Sequence, residues 1–243
     1  MSSLVKKYIM ALTGLILVGF VVGHMVGNLQ MFLHPDWINE YAYKLQNLPY
    51  GLLWIVRGVL LLAVLAHIVT AVLLVLENRR ARPQGYVAKA KLQASFASKS
   101  MKYTGLVLLA FIVFHLMHFT VKNVHPEFKD LHTELAGVGT MHHVYDKLAA
   151  MGKTEVHDVY SMVVIGFSSQ YWYVSVFYVI AMTLLCLHLM HGISSMFQSL
   201  GLRNAAWRVR LDRAAMGIAV AVFLGFVSIP VASLAGLLQP LTH

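Results

Sequence analysis

The segment from Leu48 to Leu76, LPYGLLWIVRGVLLLAVLAHIVTAVLLVL, decides the fold. It holds no acid, and Arg57 and His67 are its only basic side chains. A run of that length crosses roughly 30 Å of hydrocarbon as a helix, which also satisfies its own backbone polar groups where water is absent. Four further runs of this kind extend from Val5 to Leu33, Met101 to Val121, Tyr171 to Leu200 and Ala214 to Ala235. The predicted fold is all-α: a polytopic membrane protein of five transmembrane helices, with residues 1–243 forming a single membrane domain. Composition agrees, because 58% hydrophobic and 12% charged residues exclude a water-soluble globule. Lys6 and Lys7 precede the first run as they would in a signal peptide, but the run is too long and lacks a small-residue cleavage site. It is expected to stay as a helix.

The single cysteine, Cys186, lies inside an apolar run, so this chain alone builds neither a disulfide framework nor a cysteine-ligated cluster. A dinucleotide fingerprint and a phosphate loop are missing from the sequence as well. Lys and Arg collect on the cytoplasmic side of membrane helices. The connection between the second and third runs carries Arg79, Arg80, Arg82, Lys89, Lys91, Lys99 and Lys102, and the one between the fourth and fifth carries Arg203, Arg208, Arg210 and Arg213. Both are expected inside, with the amino terminus cytoplasmic and the carboxy terminus outside. The net charge of +9 then reads as an inner-face collar, not a nucleic-acid surface. The outer connection over 122–170 is long enough to suggest a packed cap with short helices. No internal repeat is expected.

Six histidines fall within the spans: His24, His67, His115, His118, His188 and His191. Ionisable groups at that depth are expensive and mark pathways or ligands. Counted at 1.5 Å per residue, His24 and His115 lie roughly 16 and 10 Å below the outer face, whereas His67 and His188 lie roughly 27 and 26 Å below it. Depth therefore pairs His24 with His115 and His67 with His188. Two imidazole pairs on facing helices are what two b-type haems require, and iron with both axial positions taken by imidazole is left with electron transfer. His118 and His191 follow His115 and His188 by three, so spacing leaves them open as alternate ligands. Gly19, Gly23 and Gly27 flank His24 and let a porphyrin or another helix approach. Arg57, roughly 12 Å below the outer end of its helix, would either partner a haem propionate or snorkel to the surface. His125, His132, His142, His143 and His157 enrich the outer connection without a fixed ligand spacing, which disfavours a surface metal site.

These residues resemble the five-helix, diheme cytochrome b subunit of succinate:quinone oxidoreductases and quinol:fumarate reductases. The likeness covers nearly the whole chain. Its specific parts are His24-Met-Val-Gly-Asn28, His67 in Leu65-Ala-His-Ile, Thr104-Gly105 followed by His115, and His188 followed by Gly192 and Gly201. The resemblance implies His115 and His188 as ligands in preference to His118 and His191. It also implies a flavoprotein carrying FAD and an iron-sulfur subunit on the cytoplasmic face of a bacterial membrane, with a quinone, menaquinone in most relatives, as the electron partner, and it leaves open whether such complexes form a homodimer. Some relatives carry a proton-conducting glutamate two residues before the ligand of the fourth helix; here that position is Cys186. Two rival readings are the cytochrome b anchor of a hydrogenase, formate dehydrogenase or nitrate reductase, and a proton-coupled transporter with intramembrane histidines.

Overall fold

Ser2 accepts a hydrogen bond from the Val5 amide and opens α1 (Ser3–Leu29), the first of five helices long and apolar enough to cross a membrane. The computed structural model describes residues 1–81, 96–138 and 142–241. The basic positions Arg82, Lys89 and Lys91 lie outside the described residues, as do the side chains of Lys99, His142 and His143. The other long helices are α3 (Leu52–Arg80), α4 (Phe96–His115), α7 (Trp172–Ser199) and α8 (Arg208–Leu234). A π-helical turn over Leu116–Thr120 extends α4 and stops before Lys122, whose φ of 59° ends the helix. Helix α8 begins six residues before the expected Ala214. Its first turns carry Arg208, Arg210, Asp212 and Arg213, which an apolar count passes over.

Between α1 and α3, where the sequence suggested only a connection, the chain forms α2 (Pro35–Gln46). His34 caps it by accepting the Asp36 amide at 3.2 Å, and Pro35 occupies the first turn, where its missing N–H costs nothing. The buried face of α2 is polar as well as apolar, including Asp36, Asn39 and Glu40 beside Ile38, so it leaves no apolar stripe in the sequence. Asn39 donates to Asp158 Oδ1 at 3.1 Å and accepts from the Tyr160 amide at 2.9 Å. Asp36 Oδ2 accepts the Ala136 and Val138 amides at 2.9 and 3.2 Å. These bonds dock α2 under the 122–170 connection, which folds into α5 (His142–Ala150), α6 (Val159–Gly166) and a hairpin of β1 (His132–Glu134) and β2 (Glu155–His157). The hairpin is a small departure from the all-α expectation. Together these elements cap one end of the bundle. The opposite, basal end carries Lys6 and the arginines that open α8.

Helix α7 packs against α8, α4 and α1, and α3 packs mainly on α1. Lys6, almost fully buried, pairs with Glu77 and fixes α1 antiparallel to α3. Ser194 and Arg203 both bind Asp212, tying the basal ends of α7 and α8 together. Gly225 lets α8 close onto α1, because a Cβ there would overlap Met25 Sδ. Most remaining large apolar side chains on α1, α3 and α4 face outward, as lipid contact requires.

Candidate functional site

His67 and His188 meet at the basal level of the bundle with ring centroids 6.5 Å apart. Each ring is held from behind in the same way. Thr13 on α1 donates its hydroxyl proton to the Ile9 carbonyl at 2.7 Å, so its oxygen is left to accept from His67 Nδ1 at 3.2 Å. Thr104 on α4 donates to the Met101 carbonyl at 3.0 Å and accepts from His188 Nδ1 at 3.1 Å. A Cβ at Gly14 or at Gly105, the next residue in each helix, would sit 3.6 Å from Cε1 of the same imidazole. The proton placement follows: Nδ1 carries hydrogen on both rings, and the Nε2 lone pairs are free for a ligand.

His24 and His115 meet at the cap level, with centroids 5.8 Å apart and planes at 82°. His115 Nδ1 lies 3.2 Å from the Tyr178 hydroxyl. His24 is held by a stack on Phe20 at 5.4 Å and by Phe226, and Asn28 binds its carbonyl oxygen at 2.7 Å. From Thr13 to His24 the helix rises about 16 Å, which sets the separation of the two levels.

Two metal–imidazole bonds of about 2 Å each, with the half-width of each ring added, place facing imidazole centroids about 6 Å apart. Both pairs have that spacing. The helices carrying each pair are not among the closely packed ones: α1 meets α4, and α3 meets α7, chiefly through the histidines. A Cβ at Gly19 or Gly23 would meet nothing within 4 Å, so these two leave a flat group room beside α1. Four imidazoles in two facing couples, with hydroxyls at the rear nitrogens of three, could hold one metal ion per couple, and a haem held there would supply electron transfer. Gly27 has a different role from its two neighbours in the stripe. A Cβ there would lie 2.8 Å from the Tyr41 ring, so Gly27 admits α2.

Neither alternate histidine faces a ring of these two pairs, although His118 shares the Tyr178 hydroxyl with His115. His118 is fully buried and its Nδ1 lies 3.0 Å from Tyr178. His191 bonds Ser195 at 3.0 Å on its own helix. Arg57 is exposed, its guanidinium 4.8 Å from the Trp54 ring centroid, an arrangement that favours snorkelling toward the cap-side surface. In the cap, His132 and His157 face each other across the hairpin at 5.8 Å, but both nitrogens of His157 are engaged, by Lys122 Nζ and by the Leu131 carbonyl. Burial, with Lys122 beside it, pulls His157 below the usual imidazole range, and burial also lowers Lys122. Among the described residues no group of three or more metal-ligating side chains comes together.

The two threonines occupy equivalent places in an internal repeat. Thr13-Gly14 and Thr104-Gly105 each open a twelve-residue stretch ending in a paired histidine, TGLILVGFVVGH (13–24) and TGLVLLAFIVFH (104–115). Seven of the twelve positions are identical. Ten residues after each histidine stand His34-Pro-Asp-Trp37 and His125-Pro-Glu-Phe128, and Tyr50 and Tyr171 each lie seventeen residues before His67 and His188. The expectation of no internal repeat is therefore corrected. Helices α1 and α3 form one half and α4 and α7 the other, running in the same direction, and each facing pair joins equivalent histidines of the two halves. The repeat was hidden because its two parts are offset unequally: the cap inserts thirty more residues into the second half. No protein family, curated protein or solved structure matches the chain.

Proposed function

We propose that this chain is the membrane anchor and electron-transfer subunit of a succinate:quinone oxidoreductase or quinol:fumarate reductase, holding one b-type haem between His24 and His115 and another between His67 and His188. The observation that carries the reading is the spacing of the two pairs, about that of one metal ion per couple, with Thr13, Thr104 and Tyr178 engaging the rear nitrogens. Haem with two imidazole ligands supplies one-electron transfer and has no position for a substrate. The chain's own residues fix the imidazole orientation and tautomer, exclude water from both levels, and place the levels along the membrane normal. Arg57 stands ten residues before His67, as Tyr178 stands before His188, which places it on its helix near the cap level.

In this reading the Lys- and Arg-rich basal end faces the bacterial cytoplasm, so the amino terminus is cytoplasmic and the carboxy terminus outside. A flavoprotein with FAD and an iron-sulfur subunit dock there and carry out the dicarboxylate chemistry, while a quinone exchanges electrons at the bundle. The test is a reduced-minus-oxidised spectrum of the purified chain with haem quantified. Two low-spin b haems per chain are expected, and a colourless, iron-free protein produced with ample haem supply overturns the proposal. The partners that co-purify separate it from the anchors of other respiratory enzymes.

A further inference from the structure

Two buried imidazoles at the cap end stand apart from the facing pairs, and each has one nitrogen engaged and one without a partner. His118 is 0% exposed and His125 6% exposed, and their ring centroids are 5.3 Å apart. The unpartnered atom is Nε2 in both. His118 Nδ1 lies 3.0 Å from the Tyr178 hydroxyl, which also lies 3.2 Å from His115 Nδ1. His125 Nδ1 lies 3.0 Å from the Glu127 carboxylate, whose side chain is 57% exposed. Gly166 lets the backbone of α6 pass close to the His118 nitrogen, since a Cβ there would stand 3.1 Å from Nε2.

Hydrogen-bond polarity fixes the protons. This step rests on the proposed function, in which His115 uses its Nε2 lone pair and so carries its proton on Nδ1. His115 then donates to the Tyr178 oxygen, and Tyr178 can only donate onward to His118 Nδ1. His118 must hold its own proton on Nε2. A carboxylate only accepts, so His125 donates from Nδ1 to Glu127 and keeps a bare lone pair on Nε2. The two unpartnered nitrogens are thus a donor and an acceptor, and a single water can accept from the first and donate to the second. Buried polar groups without protein partners are commonly satisfied in this way.

We propose that a buried water bridges His118 Nε2 and His125 Nε2 and completes a hydrogen-bonded route for protons from Tyr178, beside the cap-level pair, to Glu127 at the surface. Every donor in the route points outward, so the resting chain is set for release. One proton enters at the Tyr178 oxygen from a proton-releasing reaction at the cap level, hydroquinone oxidation under the proposed function, and one leaves at Glu127. Along the way each group gains one bond to hydrogen and loses one, and no electron moves.

The test is ¹⁵N NMR of histidine-labelled full-length protein in lipid nanodiscs, reduced so that low-spin iron is diamagnetic, with haem measured on the same sample. The expected result is His118 protonated on Nε2 and His125 on Nδ1, with the His118 N–H exchanging into deuterated water at least tenfold more slowly in Glu127→Gln and in His125→Phe. Glu127 is exposed, so its amide variant tests the route without burdening the fold. Haem present with His118 protonated on Nδ1, or with exchange unchanged in both variants, overturns the route and leaves the haem assignment standing. Haem absent overturns the proposed function, and exchange in the two variants then decides the route by itself.

Discussion

The basal and cap levels of the bundle hold equivalent histidines in different ways. At the basal level the two halves repeat each other: a threonine hydroxyl on each rear nitrogen and a glycine against each ring edge. At the cap level they have diverged. His115 is bonded by Tyr178, while His24 is wedged between Phe20 and Phe226, and the position matching Tyr178 is Arg57. Near the basal end the polar needs of both rings are met within the repeat. At the cap end one half is followed by α2 and the other by a folded insertion, so the surroundings of the two rings cannot be alike.

The largest expected effect separates the levels outright. His67→Ala and His188→Ala should each abolish the same spectral component, and His24→Ala and His115→Ala the other. Loss of one common component from His24→Ala and His67→Ala would break the division into levels. A smaller effect probes how the rings are held. Thr13→Val and Thr104→Val remove an acceptor from His67 and His188, and outer-shell losses of this kind typically weaken metal binding about 10- to 100-fold. Haem retention on dilution should fall by that order for the basal component alone, whereas Tyr178→Phe should weaken the cap component alone.

Glycine substitutions sharpen the contrast between close approach and open space. Gly27→Ala drives a Cβ into Tyr41, and overpacking of this sort costs about 1–3 kcal/mol, so the thermal midpoint should drop measurably. Gly23→Ala, facing open space in the protein chain, should leave the midpoint of haem-free protein nearly unchanged. The smallest effect belongs to the cap surface. His157 is held below its usual range by burial and by Lys122. The unfolded cap therefore binds more protons than the folded one as pH falls from about 6.5, the ordinary imidazole value, toward the lowered folded value. Stability from the neutral ring is present above that window and lost through it. Amide protection factors in the β1–β2 hairpin, corrected for the intrinsic pH dependence of exchange, should fall on acidification, and His157→Gln should flatten the dependence.

The depth of each histidine was legible because a membrane helix converts residue number into height with little error, and that placed His24 with His115 and His67 with His188. Thr13, Thr104 and Tyr178 were not legible as partners, since a hydroxyl in an apolar run looks the same whether it bonds its own helix or a ring on another. Helix α2 was missed because its inner face is matched to buried polar groups of the cap instead of an apolar core. The repeat is carried by the two TG…H stretches, but the unequal connections that follow them mask it in the sequence, and the matching contacts of Thr13 and Thr104 reveal it.

The sequence by itself determined five membrane-length helices and the levels of the histidines along them. These depend on hydropathy, helix rise and loop composition, which are local quantities. Only the tertiary structure decided which face of each helix its neighbour sees, and hence which rings face each other, which hydroxyls reach their rear nitrogens, and the nearness of His118 to His125. Those depend on helix rotation and packing, and a rotation of half a turn would leave every local property of the sequence unchanged while moving each imidazole to the opposite side.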